Sequence, residues 1–203
     1  MHFISTSFKA IRKLIRISTS WVYSPLGKLN FILNGVQYKK GISIRGIIKV
    51  FVTRRGRVEV GKNFRINSGF NHNVIGRQQK TIFWVEGNLT IKDNVGISAT
   101  AIICKHNIII GNNVIIGGNT VIYDTNFHSL NASDRNTPEL DRSNTLSSPV
   151  IIEDNVFIGA HVTILKGVTI GANSVIGACS LISKNIPKNE VWAGNPAKFI
   201  KSL

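Results

Sequence analysis

The sequence predicts an all-β solenoid in which short parallel strands stack as successive coils. Isoleucine recurs every six residues in the C-terminal part of the chain, at positions 152, 158, 164, 170, 176 and 182. A small or β-branched residue stands four places after each of these, at Val156, Val162, Val168, Ser174 and Ser180, with the larger Ile186 as the exception. A period of six excludes an amphipathic helix. No single repeat can bury its own isoleucine, so the repeats must stack.

Composition indicates one domain with a local basic surface. The chain has 203 residues and a net charge of +15, and residues 1–80 hold 16 of the 25 Lys and Arg but one acid, Glu59. A basic N-terminal part on a neutral repeat body points to a local anionic partner. Nucleic acid is not predicted, because the basic half lacks interleaved aromatics on a recognisable platform.

The first element is a basic amphipathic arm over residues 1–35. Lys9, Arg12, Lys13 and Arg16 lie among apolar residues at helical spacing, and Pro25 and Gly27 are predicted to end the element. The apolar set is Phe3, Ile4, Phe8, Ile11, Leu14, Ile15, Trp21 and Val22. Two interpretations stay open: residues 1–22 bind an anionic membrane surface, or the helix caps the open end of the solenoid.

The solenoid is predicted over residues 36–190, with an irregular beginning. Strand-like alternation with glycines breaks near residues 71–84 and resumes at Val85. Ile91, Ile97 and Ile103 then follow at spacing six, and a one-residue insertion leads to isoleucines at 110, 116 and 122. Cys104 and Cys179 are predicted to be core or near-core residues without a disulfide, which suits a reducing compartment.

A long polar insertion, residues 123–149, interrupts the repeats and is the predicted functional loop. At its root His128 stands six residues after Ile122, where the repeat reserves a core isoleucine. Asp124 and Asn126 are its sequence neighbours. A histidine in that place is a candidate general base.

These features resemble a known family. The six-residue repeats, the loop opened by DTNFHSL and the tail VWAGNPAKFIK (191–201) are similar to the hexapeptide-repeat acyltransferases, in particular the bacterial sugar and polysaccharide O-acetyltransferases. The resemblance covers residues 85–201 well and residues 1–84 poorly. It implies a left-handed parallel β-helix, a C-terminal tail at residues 191–203, and a homotrimer with active sites between subunits.

The resemblance also implies site residues and a co-substrate, acetyl-CoA. His128 would act as general base on an acceptor hydroxyl, with its other ring nitrogen held by Asp124 or by a backbone carbonyl, and with Asn126 in support. The cofactor-binding set would be Gly117, Phe157, Ala160, Ala178, Ser183, Lys184, Lys198 and Lys201, the last two meeting phosphates. No metal is expected: the histidines at 2, 72, 106, 128 and 161 include no closely spaced pair of the kind that zinc-dependent carbonic anhydrases of this fold need.

The expected function is O-acetylation of a sugar hydroxyl in bacterial surface polysaccharide synthesis. We expect a cytoplasmic enzyme held on the inner membrane face by residues 1–22. The alternatives are an N- or O-acetyltransferase of a small amino sugar or a drug, and a non-catalytic scaffold. A scaffold would leave the His128 loop and the AGNPAK tail without a purpose.

Overall fold

A computed structural model of the chain describes residues 2–69, 72, 73, 75 and 79–203. It begins with one long helix, α1 (His2–Leu33). Helix α1 continues through Pro25 and Gly27, so the prediction that these residues end it is wrong. Gly27 is needed inside the helix, because a Cβ there would lie 2.7 Å from Ile44 Cδ1 of the first coil. The helix ends at Leu33, and Gly35 just beyond it has a φ of 68°, the left-handed conformation that glycine favours after a helix.

The two ends of α1 have different surroundings. Phe31 is fully buried and stacks on Phe83 with ring centroids 6.1 Å apart, so the C-terminal end of the helix covers the first coil. Towards the N-terminus, Trp21 is 77% exposed. The side chains of Phe3, Ile4 and Arg16, which belong to the predicted arm, lie outside the described residues. Among the helices that the structure describes, none is long and apolar enough to cross a bilayer.

Short strands follow α1, three to a coil. The first three coils are β1 (Gln37–Tyr38), β2 (Ser43–Arg45), β3 (Lys49–Val52); β4 (Arg57–Val60), β5 (Arg65–Asn67), β6 (Ile82–Val85); and β7 (Asn88–Ile91), β8 (Gly96–Ser98), β9 (Ala101–Cys104). The next three are β10 (Asn107–Ile110), β11 (Ile115–Ile116), β12 (Val121–Tyr123); β13 (Val150–Ile152), β14 (Phe157–Ile158), β15 (Thr163–Ile164); and β16 (Thr169–Ile170), β17 (Val175–Ile176), β18 (Leu181–Ile182). A hairpin of β19 (Glu190–Gly194) and β20 (Ala197–Ser202) ends the chain.

The strands form three parallel sheets that the chain visits in rotation. Sheet A has the order β1-β4-β7-β10-β13-β16, and sheet C has β3-β6-β9-β12-β15-β18. Sheet B has the order β2-β5-β8-β11-β14-β17-β19-β20, and its last pair is antiparallel. Successive coils therefore stand one strand spacing apart, about 4.8 Å.

The predicted isoleucine column is confirmed over residues 152–182. All six of these isoleucines are buried, and Ile116, Ile158 and Ile176 pair in register on neighbouring strands. One earlier position is wrong: Ile102 is buried and pairs with Ile122, whereas Ile103 is half-buried. Cys104 is buried as predicted, but Cys179 is exposed, at a corner with φ of 59°.

A ladder of asparagines, which the sequence reasoning missed, lines the corner after sheet A. Each member has a left-handed backbone with φ between 57° and 63°. From one coil to the next, the side-chain Nδ2 of each asparagine donates to the side-chain Oδ1 of the following one at 2.8–3.0 Å. The ladder runs in order through Asn63, Asn94, Asn113, Asn155, Asn173 and Asn189. Asparagine tolerates the left-handed region better than other residues with a Cβ. The signal was an Asn two residues before each sheet B strand from β5 to β17, and one directly before β19.

We expect Asn155→Ala to destabilise the fold more than Asn155→Gly. Both variants lose two ladder hydrogen bonds, each worth about 1 kcal/mol. Alanine also pays roughly 1–2 kcal/mol for the left-handed backbone, which glycine avoids. Urea unfolding of the three proteins measures the difference. Equal midpoints for the wild type and both variants would contradict a stabilising role for the ladder.

Candidate active site

The insertion between β12 and β13 is a structured loop with closed roots. Thr125 and Ser147 form an antiparallel bridge, and Ser148 N–H donates to the Asp124 carbonyl at 2.9 Å. Further out, the loop has a 3-10 turn (Asp134–Asn136) and a short helix, α2 (Pro138–Ser143). The closed roots fix where the loop leaves the coils.

His128 and Asp141 form the central pair of this loop. The His128 Nδ1 atom lies 2.6 Å from Asp141 Oδ2, and Ser129 N–H donates to Asp141 Oδ1 at 2.7 Å. The hydrogen bond from His128 is the largest cause that lowers the pKa of Asp141, followed by the Ser129 N–H. An ionised Asp141 accepts the Nδ1 proton, which leaves a lone pair on Nε2. The His128 side chain is 69% exposed, so Nε2 is accessible.

A second set of hydrogen bonds holds Asp141 and Ser129 in place. Ser129 Oγ donates to Asp134 at 2.7 Å, and Asn144 Nδ2 donates to the same carboxylate at 2.9 Å. Thr145 Oγ1 donates to the Asp141 carbonyl at 2.6 Å. The His128–Asp141 pair is therefore positioned by the loop's own structure. Sequence reasoning missed Asp141; its position in the first turn of a helix that Pro138 begins was the available signal.

Neither of the two predicted partners, Asp124 and a backbone carbonyl, holds the His128 ring, because Nδ1 pairs with Asp141. Asp124 has another role. It is fully buried, and its carboxylate accepts the backbone N–H groups of Lys105, His106 and Asn107 at 2.7–2.8 Å. It therefore anchors the loop root to the preceding coil. Asn126 is half-buried and donates its backbone N–H to the Leu146 carbonyl at 3.0 Å, so it also shapes the root.

Three of the predicted cofactor residues meet at the C-terminal end of the coils. Ser183, Lys184 and Lys198 line one depression of about 310 Å³, together with Trp192 and Phe199. Lys201 is outside that lining, on β20 opposite Val191. His128 does not line the depression either. Within one chain, the predicted base and the predicted phosphate residues therefore occupy different places.

The remaining predicted cofactor residues lie on sheet B and at its corner with sheet C. Phe157 is 47% exposed and pairs with Ile115 of the coil before. Within the described residues, no acceptor is found for the N–H groups of Ala160 and Ala178. Gly117 allows close coil stacking instead, because a Cβ there would lie 2.6 Å from Ala160 N.

Comparison with known proteins identifies the family to which this architecture belongs. The family description "Bacterial transferase hexapeptide (six repeats)" matches residues 149–184. The chain is 32% identical over 154 residues to the Escherichia coli K12 protein WbbJ, named for O-acetyl transfer in lipopolysaccharide biosynthesis, and the match covers 74% of each chain. The chain belongs to the hexapeptide-repeat acyltransferases. It is also 39% identical over 154 residues to the galactoside O-acetyltransferase of the same strain, but that match spans 58% of the relative's length and 76% of this chain.

The fold of this hexapeptide-repeat chain is shared with a solved N-acyltransferase. A point mutant of AntD from Bacillus cereus, in complex with dTDP-4-amino-4,6-dideoxyglucose and coenzyme A, superposes with a TM-score of 0.64 at 21% identity. The superposition covers 88% of this chain and 87% of AntD. Across the described part of this chain, His, Cys, Asp and Glu side chains form no group of three suited to a metal ion.

We expect Asp141→Asn to loosen the His128 tautomer. An amide can present either an acceptor or a donor to Nδ1, so the Nδ1–H form loses its preference. Nitrogen-15 NMR of the ring measures the two tautomers, with Glu139→Gln on the same short helix as the matched control. In the wild-type protein the Ser129 amide signal reports the ionisation of Asp141, to which it donates. Because the pKa of folded Asp141 is lowered, this signal should keep its position as the pH falls to the ordinary carboxyl value of 3.8 and should shift only below that value. An unchanged tautomer ratio in Asp141→Asn would contradict the assigned pair.

Proposed function

We propose that the protein is an acetyl-CoA-dependent O-acetyltransferase that acts on a sugar hydroxyl. The observation that carries the proposal is the His128–Asp141 pair, 2.6 Å apart, with an accessible Nε2 on a braced loop. The two O-acetyltransferase relatives support the reaction class. The match spans only part of the galactoside enzyme, so the proposed acceptor rests on this chain's own site.

In the proposed reaction His128 acts as general base and then as general acid. Nε2 takes the proton of the acceptor hydroxyl while the hydroxyl oxygen bonds to the thioester carbonyl carbon. The carbon–sulfur bond of the tetrahedral intermediate then breaks, and the imidazolium returns the proton to the leaving thiolate. Asp141 keeps the ring oriented and stabilises the transient positive charge, as the third member of a catalytic triad does.

Acetyl-CoA is the proposed donor. The N–H groups of Ala160 and Ala178, for which no acceptor is found in the described residues, would donate to the amide carbonyls of the pantetheine arm, beside exposed Phe157. Lys184 and Lys198, in one depression with Ser183, are suited to the phosphates. Lysine is a point charge rather than a fork, so it neutralises phosphate without fixing its orientation. Lys201 would add charge from outside the depression.

The proposed assembly is a homotrimer of left-handed parallel β-helices. The rotation of the chain through sheets A, B and C supports a β-helix, and the family resemblance supplies the handedness. The separation of His128 from the Lys184–Lys198 depression supports a site completed by a neighbouring subunit. The alternative acceptor is a small amino sugar or a drug, acetylated on nitrogen or oxygen. The fold shared with the N-acyltransferase AntD is compatible with an amine acceptor. A panel of hydroxyl and amine acceptors separates the two classes.

Replacing His128 by alanine should lower kcat by roughly 10²-fold or more, the usual scale for a lost general base. The dissociation constant of acetyl-CoA should stay within about twofold, because His128 does not line the depression with Lys184 and Lys198. Steady-state kinetics and calorimetry measure both. His106→Ala, an exposed histidine whose backbone N–H alone contacts Asp124, is the matched control. Undiminished turnover in His128→Ala would overturn the mechanism.

For the location, we propose a cytoplasmic enzyme held on the inner membrane face, where surface polysaccharides are assembled. Exposed apolar residues recur along α1 at helical spacing, at Phe8, Ile11, Leu14, Ile15, Trp21, Val22, Leu26, Leu29, Ile32 and Leu33. They share one face of the helix. Gly27 and Phe31, which pack on the coils, occupy the opposite face. The helix thus caps the coils with one face and turns an apolar stripe away from them.

Anionic lipid is the occupant that the charges of α1 favour. Lys9, Arg12 and Lys13 are exposed, Arg12 at the edge of the stripe and Lys9 and Lys13 on the polar face opposite it. A cation near an anionic leaflet contributes about 1 kcal/mol. Trp21, 77% exposed, is suited to the headgroup region.

We expect the full chain to co-sediment with vesicles that contain phosphatidylserine and to be released by salt. The double variant Leu14→Ser/Trp21→Ser should stay in the supernatant, whereas Leu203→Ser, at an equally exposed site, should behave as the wild type. Substitution is the better test than truncation at Gly35, because truncation removes the buried Phe31. A wild-type protein that stays in the supernatant would overturn the membrane proposal and leave α1 as a cap on the coils.

A further inference from the structure

The outer face of sheet B carries a second cationic groove, at the opposite end of the coils from Lys184 and Lys198. The groove has a volume of about 340 Å³ and runs along the outer faces of β2, β5, β8 and β11, which belong to the first four coils. Its lining includes Ser43 and Arg45 of β2 and Arg65 and Asn67 of β5. Gly96 and Ser98 of β8 continue it towards Ile115. The Arg65 guanidinium lies over Gly96, where an added Cβ would be 3.7 Å from its Nη2 atom.

The two arginines are neighbours without a carboxylate. Ser43 of β2 pairs with Arg65 of β5. Arg45 therefore lies on the strand next to Arg65 and two residues further along it. Standard strand dimensions give a distance of roughly 8 Å between the Cα atoms of the two arginines. Both side chains are exposed, and within the described residues neither makes an ion pair. Burial first, and then the charge of Arg45, lowers the pKa of His72.

A groove on sheet A gives the contrast. It is larger, about 520 Å³, and its lining holds Lys39 and Lys92 together with Glu59 and Asp93. Its charges therefore balance, as expected of a solvated surface. The sheet B groove has two guanidinium groups and no carboxylate in its lining. Two guanidinium groups that no carboxylate in the lining neutralises favour an anion, and their fork geometry matches phosphate oxygens.

The axial order of the coils relates this groove to His128. Arg45 and Arg65 lie on the first and second coils, and the loop with His128 leaves the fourth coil after β12. Phe157 lies on the fifth coil, and Ser183 follows the sixth. The base thus emerges between two cationic sites, one at each end of the stack. With the donor phosphates proposed at the C-terminal end, the N-terminal groove faces the acceptor side.

We propose that the Arg45–Arg65 groove binds the diphosphate of an activated acceptor, so that the enzyme acetylates a sugar linked to a diphosphate rather than a free sugar. The inference rests on the proposed function. The shared chemistry is a sugar diphosphate, and it has two sources: a nucleoside diphosphate or a prenyl diphosphate carrier. The groove recognises the diphosphate in either case.

Calorimetry on the full-length protein tests the groove without requiring turnover. The probes are inorganic pyrophosphate for the shared chemistry, UDP for the nucleotide source and geranyl diphosphate for the lipid source. We expect pyrophosphate to bind. UDP should bind more tightly than pyrophosphate if the carrier is a nucleotide, and geranyl diphosphate should bind more tightly than pyrophosphate if the carrier is a lipid. Arg45→Gln and Arg65→Gln should each weaken binding about tenfold or more, the usual effect of losing a charged hydrogen bond. Arg65→Lys should lie between them and the wild type.

Arg57→Gln is the matched control, because it removes one exposed guanidinium from sheet A. Equal weakening by Arg57→Gln would reduce the effect to net charge and overturn the proposal. Binding of none of the three probes, displacement of pyrophosphate by coenzyme A, or loss of the native assembly in the Arg45 and Arg65 variants would also overturn it. Failure of the acetyltransferase proposal is separate, since it appears as undiminished turnover in His128→Ala.

Discussion

The register of the buried isoleucines is the constraint on which the rest of the structure depends. Each inward isoleucine stacks on its counterpart one coil away, as Ile116, Ile158 and Ile176 do. A slip of one residue would turn a whole strand's isoleucines outward, so the register is strongly specified. Corners must then turn within two or three residues, and left-handed asparagines at Asn113 and Asn155 meet that need. Chemistry is left to outward positions and to insertions between coils.

The loop with His128 is such an insertion, and two aspartates give it a fixed geometry in different ways. A buried carboxylate is costly unless its oxygens are fully hydrogen-bonded. Asp124 meets that condition with three backbone N–H groups from the turn after β9, and so joins the loop root to the coil below. Burial first, and then the Asp124 charge, raise the pKa of Cys104, which keeps that thiol neutral in the core. Asp141, at the other end of the loop, acts on the His128 ring.

The parts that could be predicted from sequence are those where one physical rule acts alone. From Ile152 to Ile182 the repeat is regular, and burial follows it at every position. Near the one-residue insertion, the sequence alone does not show which of the neighbouring residues Ile102 and Ile103 points inward. Strand pairing places Ile102 opposite Ile122, so Ile102 is the buried one. Pro25 is tolerated in α1 because the turns beyond it pack through Gly27 and Phe31, a tertiary effect that local rules omit. Asp141 lies 13 residues from His128, so its role depends on how the loop folds back.

The two halves of the stack differ in a way that bears on how the acceptor is selected. Strands β14–β18 have two residues each, so their coils expose few outward side chains, and the chain after residue 80 has no net charge. The first three coils have strands of up to four residues and a core in which Phe31, Phe64 and Phe83 stack. Arg45, Lys49, Arg57 and Arg65 lie on these strands. On the proposal that the C-terminal coils take the acyl donor, the first coils carry the charged surface that can distinguish one acceptor from another. The helix that caps them adds the apolar stripe at the same end, so the groove with Arg45 and Arg65 and the proposed lipid contact belong to one half of the molecule.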